Sequence, residues 1–172
     1  MKVMGSAEGI AILLAAATIG CCCARAQDVG KVVDPNAYPP GVQQVLQSAR
    51  DACKSEGGGN VTFAPDTVRA LHLTGYGRDD YIVDFHNARC QDRDGVYCGS
   101  GGCELDIVVT LAGGGTRLVF SQWVRGYKLL PLNGTMMISF ELHGGYCGGH
   151  GVPSCFKMRH ITTQPFKFTM PR

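Results

Sequence analysis

Of nine cysteines, three (Cys21, Cys22, Cys23) fall in an apolar N-terminal stretch and six (Cys53, Cys90, Cys98, Cys103, Cys147, Cys155) fall after it. An even set of thiols downstream of a leader reads as a framework of structural disulfides closed in an oxidising compartment. Three cross-links restrict what the chain can become more tightly than its composition does.

The leader reading rests on Lys2 as a positive start, an uncharged run from Ile10 to Ile19, and Ala24-Arg25-Ala26, the small-x-small form that signal peptidase accepts. Residues 1–26 are thus expected to be a signal peptide cleaved between Ala26 and Gln27. The apolar run, about ten to fourteen residues, is shorter than the roughly twenty needed to cross a bilayer. Lipidation at Cys21 is the alternative: Gly20 is suitably small, but the Leu-type residue three positions upstream of the cysteine is missing. The expected location is periplasmic or secreted, with no membrane span after cleavage.

Cleavage would remove Lys2, Arg25 and Glu8 from totals of 16 basic and 14 acidic residues, leaving a net charge of +1. A nucleic-acid partner would require a concentrated basic face, and the Lys and Arg residues are scattered. The remaining length suits one domain able to bury its own core, so the disulfides supplement the packing. The expected division is a signal peptide over 1–26, a flexible polar tail over 27–37 and a single domain over 38–172.

Pro39-Pro40 opens a pattern in which Val42, Val45, Leu46, Ala49, Ala52 and Cys53 share one helical face, ended by Gly57. From Asn60 onward, short β-branched or aromatic runs bounded by glycine predict strands at 61–63, 68–73, 81–85, 105–112, 116–123, 127–130 and 136–143, with a last one from Ile161 to Phe168. The connections are too short for parallel crossovers. The fold class expected is α+β: an N-terminal amphipathic helix packed on an antiparallel β-sheet and stapled by disulfides. Tyr97-Cys98-Gly99 and Tyr146-Cys147-Gly148 form a weak internal echo, readable as a duplicated turn or as chance.

Six cysteines permit fifteen pairings, among which sequence alone cannot choose. Proximity and turn chemistry favour Cys98–Cys103 and Cys147–Cys155, leaving Cys53 for Cys90. The competing chemistry is metal: Cys98 with Cys103, or Cys147 with His143 and His150, contains zinc-type ligands, although these spacings are not the usual ones. His143 and His150 are the metal candidates. Cys147 with His150 could serve nucleophilic catalysis only if the thiol were free. His72, His86 and His160 read as hydrogen-bonded strand or loop residues.

Asp80-Tyr81-Ile82-Val83-Asp84, then Cys90, Tyr97 through Cys103, Leu142-His143-Gly144, Cys147-Gly148 and Cys155 resemble a group of small secreted proteobacterial proteins of unknown function. The likeness spans about residues 50–156, and the DYIVD and CGSGGC boxes are its specific parts. That group carries an acidic D-x-N-x-D-G-x-x-D turn before DYIVD, a spacing suited to calcium. Here the ligand positions hold His72, Thr74 and Tyr76, Arg78 adds repulsion, and only Asp80 remains, so calcium binding is expected to be absent or weak.

Other motifs carry less. Asp79, Asp80, Asp84, Asp92 and Asp94 could pair as catalytic acids, but a solvated turn explains them, since glycosidic chemistry needs two acids at a set separation in a cleft. Gly113-Gly114-Gly115 lacks the Lys-Ser/Thr of a phosphate loop, and Ser100 lacks the G-x-S-x-G context. Asn60 and Asn133 match glycosylation sequons that matter only in a eukaryotic host; Asn133-Gly134 reads better as a turn. Trp123 reads as core.

No catalytic residue and no cofactor is implied. The leading expectation is a non-catalytic binding or envelope-associated module for a protein or cell-wall partner, inhibition of a hydrolase being one concrete form. The alternatives are a small secreted hydrolase or metal-dependent enzyme using His143 and His150, and a structural envelope protein.

Overall fold

The computed structural model describes residues 31–32, 38–132, 135–149 and 151–171. The expected leader, its Ala26/Gln27 cleavage point, Cys21, the Asn133-Gly134 turn and His150 lie outside the described residues.

Helix α1 (Pro40–Ser55) is the one α-helix among them, and it buries Val42, Val45, Leu46, Ala49 and Cys53 on a single face. Proline at its first position loses no intrahelical hydrogen bond there. Its end is set by Gly57, whose φ of 75° breaks the helical path while its N–H donates to the Lys54 carbonyl.

Eleven strands follow the chain as β1 (Lys31–Val32), β2 (Val61–Thr62), β3 (Val68–Leu71), β4 (Asp80–Asp84), β5 (Arg89–Cys90), β6 (Cys98–Gly99), β7 (Gly102–Thr110), β8 (Thr116–Val124), β9 (Gly126–Leu132), β10 (Thr135–Leu142) and β11 (Cys155–His160). Every pairing is antiparallel. The central sheet runs β1-β3-β4-β7-β8, with β6 beside the start of β7 on its β4 side. A second sheet runs β11-β10-β9, and β2 pairs with β5 as a ribbon. Lys31–Val32, inside the stretch read as a tail, pairs with β3.

Alternation along the strands assigns the two faces of the central sheet. Tyr81 and Val83 of β4 and Val108 of β7 join the cluster under α1. Ile82 of β4 and Leu105, Ile107 and Val109 of β7 join a second cluster with Ile138, Phe140 and Leu142 of β10. The order is therefore helix, central sheet, second sheet, and β4 and β7 are buried on both sides. That is why DYIVD reads as a nearly continuous apolar run instead of a half-polar alternation. A bulge in β8 between the Ile107 and Val108 pairings turns both Val119 and Phe120 into this second cluster.

The chain after β11 returns between the sheets as extended backbone. The Gln122 carboxamide accepts from the Phe168 N–H at 2.6 Å and donates to the Phe168 carbonyl at 3.0 Å, standing in for a strand partner. Phe166 and Phe168 then pack on Phe120 and Phe140 with ring centroids 4.8–6.1 Å apart. The last strand expected at 161–168 is thus displaced to Cys155–His160. The Phe166 N–H still donates to the Val119 carbonyl of β8 at 2.8 Å, but Pro165 supplies no donor and the Gln122 side chain makes the bonds at Phe168.

Cys53 joins Cys90, Cys98 joins Cys103 and Cys147 joins Cys155. The first closes a sequence separation of 37 residues between α1 and the β2–β5 ribbon; the others close separations of 5 and 8. By loop-closure entropy the long bridge contributes about 4 kcal/mol and the hairpin bridge about 2 kcal/mol. Replacing Cys53 and Cys90 together by alanine should therefore lower the free energy of unfolding about twice as much as replacing Cys98 and Cys103. Urea titration of the two double variants measures this, and equal losses would contradict it.

Candidate functional site at the hairpin disulfide

The CGSGGC box folds back as the β6–β7 hairpin, with Cys98 opposite Cys103 and Gly99 opposite Gly102. Two of its glycines answer close approaches. A Cβ on Gly99 would lie 2.7 Å from Trp123 Cζ3, and one on Gly102, where φ is 110°, would fall on the Val124 carbonyl. The glycines let β8 and its indole sit against the hairpin. The Ser100 carbonyl accepts from Arg125.

His86 reaches the same corner from a one-turn 3-10 helix, Phe85–Asn87, that directly follows DYIVD. Asp84 caps that turn by accepting the His86 N–H at 2.9 Å. Phe85 anchors it, buried and stacked on Tyr97 at 5.3 Å, and the Tyr97 hydroxyl donates to the Ala49 carbonyl of α1. Arg89 closes the turn by donating to the His86 and Ala88 carbonyls.

These placements put His86 Nδ1 3.4 Å from Cys103 Sγ, while Cys98 Sγ lies 3.9 Å from the Phe85 carbonyl oxygen and 4.0 Å from that of His86. The ligand atoms of His86, Cys98 and Cys103 lie within 4.8 Å of one another, the one such group of three among the described residues. With the two sulfurs bonded to each other, the corner offers no thiolate for a metal. Two open hollows of about 290 and 260 Å³ flank the bridge. His86 and Cys103 line both; Arg89, Arg93 and Asp94 wall the first, and Asp84, Arg125 and Tyr127 the second.

Of the residues singled out from sequence, His143 accepts the Gly145 N–H at Nδ1 and so caps the short turn Gly144–Tyr146. Its partner in the metal reading, His150, lies outside the described residues. Asp80, fully buried, accepts from Leu73 N–H, Thr74 N–H, Thr74 hydroxyl and Thr110 N–H. Its carboxylate thus clamps the β3–β4 turn onto the end of β7. Asp79 faces His72 at 3.2 Å, and Tyr76 projects into solvent.

Sequence reasoning gave His86 only the part of a hydrogen-bonded strand or loop residue, because nothing in its linear context ties it to the hairpin. It passed over Glu104 and Asp106, which alternate onto the helix-facing side of β7 beside Trp123 and Ser121. Burial pushes the Asp106 carboxyl up to about 7; a Ser121 hydrogen bond opposes the rise and Glu104 adds to it. Burial raises Glu104 as well. Asp106 Oδ1 has no hydrogen-bond partner, which suits a neutral carboxyl.

Comparison of the chain with known protein families, curated proteins and solved structures finds no match.

The raised Asp106 carboxyl makes stability depend on pH in a defined sense. Between the ordinary value of 3.8 and about 7 the unfolded chain ionises while the folded one holds its proton. Stability falls as pH rises through that window, by up to about 4 kcal/mol, and is level above it. Asp106→Asn should be more stable than the parent at pH 8 and should flatten most of the slope, with Glu104 leaving a smaller one of the same sign. Urea midpoints at pH 4, 6 and 8 measure this, and an unchanged slope would refute it.

Proposed function

We propose that the protein is a non-catalytic, extracytoplasmic binding module that recognises a protein partner through the outer face of the β9–β10–β11 sheet. One observation carries this reading. Strand alternation turns Phe156 and Met158 of β11 and Leu130 and Leu132 of β9 to the side away from the core, where they are 62, 61, 37 and 51 % exposed. On β10, half-buried Met137 stands opposite Leu130 and His160, Ser139 opposite Met158 and Lys128, and Glu141 opposite Phe156, so polar residues share the face with the apolar ones.

A flat sheet face of this kind suits a protein surface better than a small ligand, which needs a concave pocket to bury most of its area. Mixed charge around the apolar residues and a near-neutral chain favour recognition by shape and apolar contact over electrostatic steering. In the described residues β11 also leaves one edge unpaired, giving an extended partner segment backbone groups to bind. Three disulfides fit an extracytoplasmic setting.

The test is a photo-crosslinking amino acid placed at Phe156, and separately at the exposed Tyr76 between β3 and β4, in the protein exported by its own host. A discrete protein adduct from position 156 that is missing from position 76, and lost with Met158→Glu, is the expected outcome. Equal labelling from both positions, or none from position 156, would refute the assignment.

A further inference from the structure

We propose that the Cys98–Cys103 bridge is an exchangeable disulfide, and that the corner holding it is a thiol–disulfide exchange site with His86 supporting the departing sulfur. The geometry gives the bond a direction. Cys98 Sγ sits against two carbonyl oxygens, of Phe85 and His86, where a negative charge is disfavoured. Cys103 Sγ sits 3.4 Å from a ring nitrogen that can donate. An incoming thiolate therefore attacks Cys98, and Cys103 leaves.

In the first step the external thiolate forms a bond to Cys98 Sγ, the Cys98–Cys103 bond breaks, and its electron pair passes to Cys103 Sγ. His86, carrying a proton on Nδ1, donates to that sulfur and stabilises the thiolate. In the second step another thiolate, or the second thiol of a dithiol, attacks the mixed disulfide and releases Cys98 as thiolate. The external thiols end as a disulfide and the protein gains two electrons, so the co-reactant is a thiol or dithiol and nothing else is consumed.

Burial separates this bridge from Cys53–Cys90, and the ring nitrogen beside its leaving sulfur separates it from Cys147–Cys155, which is half-buried as well. Cys53 is fully buried and Cys90 nearly so. Cys147 Sγ faces the backbone carbonyls of Leu142 and His143, at 3.7 and 3.4 Å, as Cys98 faces its two, but among the described residues no ring nitrogen stands at Cys155 as His86 does at Cys103. Cys98 and Cys103 are half-buried, exposed His86 stands beside them, and Cys98, the sulfur attacked, lines the first of the two hollows, through which a thiol can reach it. The hairpin itself is held by β7–β8 pairing and by Trp123. Opening the bridge therefore need not unfold the strands around it.

The experiment uses the oxidised full chain under native conditions, exposed to graded glutathione for short times, then alkylated and mapped by peptide mass. Expected first are free Cys103 and a glutathione adduct on Cys98, with Cys53–Cys90 and Cys147–Cys155 intact. His86→Ala should slow this opening about tenfold, and His86→Gln, which keeps a donor at the position, should recover part of the rate. Spectra and an intact Cys53–Cys90 bridge verify that both variants are folded. Opening of Cys147–Cys155 first, an adduct on Cys103 in place of Cys98, or a rate indifferent to His86 would each overturn the proposal.

Discussion

The antiparallel contact between β4 and β7 is the constraint on which the rest depends, because these two strands are covered on both faces. A sheet wetted on one side can stand on a single apolar face. A sheet buried on both needs two separate layers, and here α1 supplies one and β9–β11 the other. Tyr81 and Val83 on one side and Ile82 on the other make a five-residue strand belong to both clusters. A one-residue slip of its register would exchange the two sets of side chains, so both layers select the same pairing.

Polar groups complete the pairing where the ladder runs out. The buried carboxylate of Asp80 satisfies three donors from the β3–β4 turn and one from Thr110, fixing where β4 begins relative to the end of β7. On β8, opposite Leu105 of β7, the Gln122 carboxamide does the same for the chain at Phe168. Each is a side chain taking the place of a strand partner, so that backbone groups beyond the ladder stay paired in the interior. At the other end of β7, the hairpin disulfide and the capped turn carrying His86 meet.

Much of this was legible in the residues. The Pro39-Pro40 start, the Val42 to Cys53 stripe and Gly57 together delimit α1, since each acts locally through backbone geometry and helical spacing. The glycine-bounded runs locate most strands; nearness in sequence favours Cys98–Cys103 and Cys147–Cys155, and the remainder, Cys53 with Cys90, completes the set that the structure joins. The second sheet as a separate layer was not legible, because strand signals carry no information on which sheet a strand enters. Strand β11 was obscured for a different reason. No strand was expected there, and its apolar residues do not mark the core face: Lys157 and Arg159 take the inner side, each cation 5.7 Å from the Phe168 ring centroid, and leave Phe156 and Met158 in solvent. That inversion depends on where Phe168 lands, a contact outside any local window. His86 was illegible likewise: its meaning comes from Cys103, seventeen positions along the chain.

The central claim is that β4 and β7 form a spine locked from both sides, and native-state amide hydrogen exchange with denaturant dependence tests it most directly. The account predicts that the amides of Ile82, Val83, Ile107 and Val108 exchange only through global unfolding, with the protection and denaturant slope of the whole molecule. Amides of α1 and of the outer strands β9 and β11 should open at lower free energy. Exchange of the β4 and β7 amides through local openings, at rates equal to those of β9 or β11, would contradict it.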